Sequence, residues 1–238
     1  MKKEKQLNYI ISVIAVLINV IVITNSIVHD PLIGYDADSH LDYITVVADH
    51  LPTKSESGEY YSPPLPYIIP GIAYKSCALL SNTDFISLLR CKLLSGHIAQ
   101  GINAILAIFI TLLLIKISEL IKQGNKYFRI STLMIFGGLT VFYKTFSQVR
   151  GEPYVAFFTL LVTFIMLKLY KDQKLFTWKA SGLIGLILGL LALSRQWGFL
   201  IFPAIFFFLL VAAVRKSSVS IGKRITIIIF TFLFAALV

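Results

Sequence analysis

The chain reads as an all-α membrane protein, a polytopic bundle of about seven spanning helices with amphipathic surface helices in its first outer loop. Three observations predict that class. Of its 238 residues, 57% are hydrophobic and 14% charged; the mean hydropathy is +0.80; and apolar runs of roughly spanning length recur, separated by short basic clusters. A water-soluble domain of this length needs far more surface charge. The net charge of +10 does not indicate nucleic acid, because the cations sit between apolar runs instead of gathering on one solvated face.

The basic start "MKKEK" is followed by an apolar run long enough to cross a bilayer core of about 30 Å. "VITNSIVHD" offers no small-residue cleavage site, so the run reads as an anchor that stays. Six further apolar segments follow, at about Leu93–Ile115, Ile130–Phe146, Tyr154–Tyr170, Ser181–Leu193, Phe199–Val214 and Ile225–Val238. With the N-terminus cytoplasmic, most of the 22 Lys and Arg fall inside: Lys2, Lys3 and Lys5; Lys116, Lys122, Lys126 and Arg129; Lys168, Lys171, Lys174 and Lys179; Arg215, Lys216, Lys223 and Arg224. Lys54, Lys75, Arg90, Lys92, Lys144, Arg150 and Arg195 fall outside, with most of the Asp and Glu. The expected setting is a multi-pass protein of the plasma membrane, or of the endoplasmic reticulum in a eukaryote.

Residues 181–214 would make a helix of roughly 50 Å, too long even for a tilted span. The stretch is expected to turn at Arg195–Gly198, within "SRQWG". The last segment, "ITIIIFTFLFAALV", stops without a flanking charge and reads as the interior of a helix in a longer protein, so residues 1–238 are expected to be one incomplete transmembrane domain.

Residues 29–90 form the first outer loop. Pro31 and Gly34 force the chain out of helix. Asp38 is a suitable N-cap for a surface helix presenting Leu41, Ile44, Ala48 and Leu51 on one face. Pro63, Pro64, Pro66 and Pro70 are expected to interrupt regular structure before a second short helix over Ile72–Leu80. Cys77 and Cys91 both fall outside, where they either close a disulfide or stay as packed thiols.

Chemistry concentrates in "GYDADSHLDYI". In extended backbone, positions i and i+2 face the same way, so Asp36 and Asp38 would address one ligand, one of them as a base. The alternative leaves Asp38 as a helix cap, with Asp36 merely solvated. With His40 the pair would also suit a divalent cation, Mn or Mg, while Asp42 is expected to face water. Arg150, Arg195, Lys144 and Arg90 are the candidate cations for a phosphate. Arg195 would otherwise snorkel beside Trp197, and Arg150 would pair with Glu152. Tyr60, Tyr61 and Tyr67 would stack on a sugar or belong to the interfacial aromatic belt.

Four motifs, in order and on one side of the membrane, give the chain a likeness to a known family: "YDADSH", "YYSPPLPYI", "VRGEPYVAFF" and "GLILGLLALSRQWG". The arrangement resembles the GT-C superfamily of polytopic membrane glycosyltransferases, in the branch of protein O-mannosyltransferases and the lipid A aminoarabinose transferase. The resemblance implies inverting transfer of a sugar from a polyprenyl- or dolichyl-phosphate donor to a glycan, lipid or protein acceptor on the non-cytoplasmic face. It assigns the acidic-motif role to Asp36 and Asp38, with Asp36 first because Asp38 would be occupied as a cap; for such a reaction Arg150, Arg195, Lys144 and Arg90 are the cations available to the departing phosphate, and Tyr61 is a candidate sugar contact. Two other classes compete: a transporter or flippase of a lipid-linked substrate, which would place its ionisable groups near the midplane, and a non-catalytic truncated homologue.

Overall fold

A computed structural model describes residues 2–81, 84–215 and 219–238, and the side chains of Lys2 and Lys3 are not among what it describes. Those two lysines and Lys216, counted above as inner cations, therefore lie outside the described side chains. Every regular element among the described residues is helical. Helix α1 spans Lys2–Val28, α2 Ala37–Val46, α3 Leu65–Leu80, α4 Phe85–Ile121, α5 Lys126–Gly137, α6 Thr140–Phe146 and α7 Glu152–Lys171. Helix α8 (Trp178–Ala192), a 3-10 turn (Gly198–Ile201), α9 (Phe202–Val214) and α10 (Ile221–Leu237) complete the chain.

Three of these are long and apolar enough to cross a membrane: Glu4–Val28, Phe85–Ile121 and Glu152–Lys171. Shorter apolar helices are Leu65–Leu80, Trp178–Ala192 and Gly198–Val214. Leu17 and Val20 on α1, Phe109 and Leu112 on α4 and Phe207 on α9 are exposed, the outward apolar surface that a bilayer covers.

Helix α4 is the axis of the bundle, touching α1, α2, α3, α5, α6 and α7. Its buried positions Ser95, Gly96, Ala99, Gln100, Asn103, Ala104, Ala107, Ile110 and Thr111 recur at helical spacing, and most are small. Small side chains let neighbouring backbones approach where burial of apolar surface supplies no drive between helices in lipid. Two apolar cores result. One joins α7, α8, α9 and α10 around Leu188 and Leu209; the other joins α1, α4, α5 and α6 around Val22 and Leu133. A third, small cluster of Leu41, Tyr43, Ile44, Tyr67, Ala99 and Val149 seats α2 and α3 on α4.

Several boundaries differ from expectation, each for a local reason. Helix α4 starts at Phe85, well before Leu93, because Asp84 caps it by accepting from the Ser87 amide. Helix α3 starts at Leu65, ahead of the expected Ile72, and takes both Pro66 and Pro70 inside it. First-turn amides have no intrahelical acceptor, so Pro66 there loses nothing; Pro70 removes one helical hydrogen bond. The segment Ile130–Phe146 is not one helix, because Gly137 and Gly138 weaken it and Leu139 is extended. Tyr143 Oη donates to the freed Gly137 carbonyl at 2.8 Å. The turn expected at Arg195–Gly198 is present between α8 and α9. It needs Gly198, where an added Cβ would lie 2.5 Å from the Leu191 carbonyl oxygen.

Cys77 on α3 and Cys91 on α4 form a disulfide with Cα atoms 5.5 Å apart. A bridge closing a loop of this length restricts the unfolded chain by about 3 kcal/mol. The Cys77→Ser, Cys91→Ser double variant is accordingly expected to lose about that much stability in denaturant titration of the detergent-solubilised protein. Unchanged stability would place the bridge outside the folded unit.

Candidate functional site

The buried ionic cluster forms where the segment between α2 and α3 meets the start of α7 and the end of α8. Arg195, 8% exposed, lies in the α8–α9 turn and binds carboxylates from two other segments. Its Nη1 donates to Glu59 Oε2 at 2.5 Å and to Ser62 Oγ at 2.7 Å. Its Nη2 donates to Glu152 Oε1 at 3.1 Å, and its Nε to the same oxygen at 3.3 Å. Ser62 Oγ also bonds Glu59 Oε2. The backbone repeats the link, since the Leu65 amide at the start of α3 donates to the Leu193 carbonyl at the end of α8, at 3.2 Å. Gly151 lets α7 approach, because a Cβ there would sit 2.8 Å from the Ser194 carbonyl oxygen.

Behind the cluster stands a buried aromatic layer. His40 is fully buried, its Nδ1 2.8 Å from Tyr67 Oη, and its Nε2 has no hydrogen-bond partner among the described residues. Tyr67 stacks on Tyr43 with centroids 4.3 Å apart, and Tyr43 Oη donates to the Ser62 carbonyl at 2.8 Å. Burial lowers the His40 pKa to about 4, with Glu59 opposing and Arg195 assisting. For Glu59, burial acts to raise the pKa, but the Ser62 hydrogen bond and the charge and hydrogen bond of Arg195 help to outweigh it and hold the carboxyl low. Burial raises the Tyr43 phenol to about 12 and pushes that of Tyr67 higher still. At neutral pH the cluster is thus two carboxylates, one guanidinium and a neutral imidazole.

The acidic motif lies beside this cluster in a geometry other than the extended one expected. Asp36 has φ +56°, a left-handed conformation that aspartate tolerates better than most side chains, and it occupies the N-cap position of α2 without capping through its side chain. Asp38 is inside the first turn of α2 and is not the cap. Helical geometry turns positions i and i+2 away from each other, so Asp36 and Asp38 are both exposed and do not share a ligand-facing side. Asp42 is not simply solvated, because Lys92 Nζ binds its Oδ1 at 2.7 Å.

The cations divide into engaged and free. Arg195 is neutralised by Glu59 and Glu152, so it neither snorkels nor offers its charge to a phosphate in this arrangement. Glu152 pairs with Arg195, not with Arg150. Arg150 Nη2 donates to the Tyr35 carbonyl at 3.3 Å and its guanidinium lies 5.8 Å from the Tyr35 ring centroid, with no ion-pair partner among the described residues. Lys144 is exposed and lines an open groove of 540 Å³ with Asn25, His29, Gly34, Tyr35 and Gln148. Arg90 is exposed on α4 and makes no hydrogen bond or ion pair with the cluster among the described residues. Tyr61 is 53% exposed and donates to Glu59 Oε1 at 3.4 Å. Its pKa is raised, first by the charge of Glu59 and next by burial. Tyr60 is exposed beside it, whereas Tyr67 is buried and unavailable for stacking on a ligand.

Among the described residues no three His, Cys, Asp or Glu side chains gather as a cation site. His40 is buried against Tyr67 while Asp36 and Asp38 point to the surface, so the three are not assembled around one ion.

Four residues that position the site carry no local signal of that role. Glu59 and Ser62 join a residue more than a hundred positions later. Gln100 and Asn103, buried on α4, bind the loop backbone: Gln100 Nε2 donates to the His29 and Ser147 carbonyls, and Asn103 Nδ2 to those of Gln148 and Arg150. Polar residues at helical spacing inside an apolar span are the one available clue to the α4 pair.

No protein-family model, curated protein or solved structure matches the chain.

Replacing Arg195 with Met leaves two carboxylates without their partner, and a loss of about 3–5 kcal/mol is expected in denaturant titration; a loss below about 1 kcal/mol would mean the cluster is solvated. Because the His40 pKa is lowered on folding, the unfolded chain binds more protons between pH 6.5 and about 4. Stability is therefore present above that window and is lost as pH falls through it, by roughly 3 kcal/mol. His40→Gln is expected to flatten this segment of the pH profile, while the contribution of Glu59, lowered from the ordinary carboxylate value, is lost only in more acidic solution.

Proposed function

We propose that the protein is a membrane glycosyltransferase that moves a sugar from a polyprenyl-phosphate carrier to an acceptor hydroxyl on the non-cytoplasmic face. The observation that carries this reading is the juxtaposition at Tyr35. The residue after it is the exposed carboxylate Asp36, its carbonyl holds the Arg150 guanidinium, and its side chain lines the groove that also contains Lys144. An acid and two cations that have no ion-pair partner among the described residues thus adjoin Tyr35, where a donor with its lipid tail in the bilayer would present its phosphate. The reading adopts seven spans, in which α8 and α9 meet at Arg195 and α5 with α6 forms a broken crossing. The Cys77–Cys91 bridge supports an oxidising outer side for that rim.

In this mechanism the acceptor oxygen attacks the anomeric carbon as Asp36 takes the hydroxyl proton. The bond from that carbon to the phosphate oxygen breaks, and Arg150 and Lys144 balance the charge of the departing phosphate. A single displacement inverts the anomeric centre. Tyr60 and Tyr61 flank the path of the sugar. Arg195 acts through Glu59 and Glu152 as a positioning residue. The likeness to GT-C enzymes in the four motifs points the same way, and the acids stand at helix ends and in the loop, not at mid-depth as a transporter would require.

The test uses proteoliposomes containing radiolabelled polyprenyl-phosphate hexoses and pentoses, with membrane extract as the source of acceptors. The wild type is expected to transfer label, and Asp36→Asn to lose about 10²-fold or more while keeping its thermal stability. Asp38→Asn is expected to stay within a few-fold of the wild type. Full transfer by Asp36→Asn would contradict the reading, and passage of intact donor across the bilayer without transfer would favour a flippase.

A further inference from the structure

Helix α7 runs roughly 30 Å from Glu152 to Lys171, and its far end borders a second polar cavity unrelated to the acidic motif. This cavity measures 280 Å³ and lies between Lys171 and Gln173 on one wall and Ala212 and Arg215 on the other, with Tyr170 and Phe176 completing it. A narrower, mainly apolar cleft of 120 Å³ continues from it along α9, past Phe208 and Val211. The two spaces share Tyr170, Ala212 and Arg215, so one elongated site has a cationic head and a greasy tail. Val211 is 48% exposed, which opens the tail toward the lipid-facing surface.

The cationic head is held in place before any ligand arrives. Arg215 Nη1 donates to Tyr170 Oη at 2.7 Å, and the guanidinium lies 6.0 Å from the Tyr170 ring centroid. Tyr170 in turn meets Phe208 edge-on, at 5.9 Å between centroids. Arg224, buried at 7% exposure, ties the chain behind Arg215: it donates to the carbonyls of Ala213, Arg215 and Val219 and lies over the Phe176 ring. On the other wall Gln173, at φ +55°, makes the turn that follows Lys171. Neither Lys171 nor Arg215 is in an ion pair among the described residues, and the exposed Asp172 pairs with neither.

We propose that this site holds an anionic phospholipid, its phosphate between Arg215 and Lys171 and one acyl chain in the cleft beside Phe208 and Val211. A soluble anion would use the cations and leave the apolar cleft bare. A zwitterionic lipid would bring its own ammonium against Arg215. Charge and shape together select a lipid carrying net negative charge. The site is independent of the transferase reading, and its lipid would act as a fixed contact between α7 and α9.

Native mass spectrometry of the detergent-purified full chain, titrated with dioleoyl phosphatidylglycerol or dioleoyl phosphatidylcholine, reads the bound lipid directly. The wild type is expected to prefer phosphatidylglycerol, and each cation removed, by Arg215→Gln or Lys171→Gln, to weaken that lipid about fivefold. Val211→Trp, which fills the cleft without changing charge, is expected to weaken it as well. Lys179→Gln, an exposed cation outside the cavity, is expected to leave the preference unchanged. The exposed Lys171 serves as the test if Arg215→Gln fails to fold. Equal binding of the two lipids, a preference that survives the Arg215→Gln, Lys171→Gln double variant or is equally lost in Lys179→Gln, or full displacement by millimolar inorganic phosphate would each overturn the proposal.

Discussion

The seating of residues 29–90 on the bundle depends on the guanidinium of Arg195 being shared between Glu59 and Glu152. Three chain segments distant in sequence end at that one group: the loop between α2 and α3, the start of α7, and the turn between α8 and α9. An ion pair this buried is not a source of large net stability, because removing the charges from water offsets most of their attraction. Its effect is selective. Any packing that separates one of the three segments from the others strands a charge, so alternatives are penalised by several kcal/mol and the loop has one seat on the bundle.

From that seat the remaining geometry follows. The Leu65 amide closes on the Leu193 carbonyl, α3 starts there despite its prolines, and Tyr67 is carried inward to meet His40 and Tyr43. With α2 fixed against this aromatic layer, Asp36 emerges at its N-terminal end in a left-handed conformation. Gln100 and Asn103 hold the opposite wall through the carbonyls of residues 147, 148 and 150, which aims Arg150 at Tyr35. Two cations from neighbouring segments thus have different environments: Arg195 is held by two carboxylates, and Arg150 has no ion-pair partner among the described residues and donates to the Tyr35 carbonyl.

Much of the helical framework was legible in the sequence, because apolar runs of spanning length and basic clusters between them are local signals. The turn at Arg195–Gly198 was legible from length alone. Residues 65–70 were not, because a proline's effect depends on whether its missing amide had a partner: in the first turn, at Pro66, it does not, and at Pro70 the helix continues with one hydrogen bond fewer. The break at Gly138 was hidden in an apolar run whose hydropathy says nothing of backbone dihedrals. At the site, Asp36, Tyr61, Arg150 and Lys144 stood out by type and position. Their relation did not, since Asp36 and Asp38 share a face only in extended backbone, and α2 has Asp36 instead of Asp38 at its N-cap position, two residues earlier than expected. Glu59 passed as one outer acid among several: its role exists only through contact with Arg195, and no periodicity encodes a pairing across 136 positions.

A double-mutant cycle between Glu59→Gln and Arg195→Met, read as unfolding free energy in detergent, tests the central constraint most directly. The two substitutions are expected to be non-additive by more than about 1 kcal/mol, since each removes the reason for the other's charge. Additivity within about 0.5 kcal/mol would contradict the account, and would mean that the segment between α2 and α3 is seated by something other than Arg195.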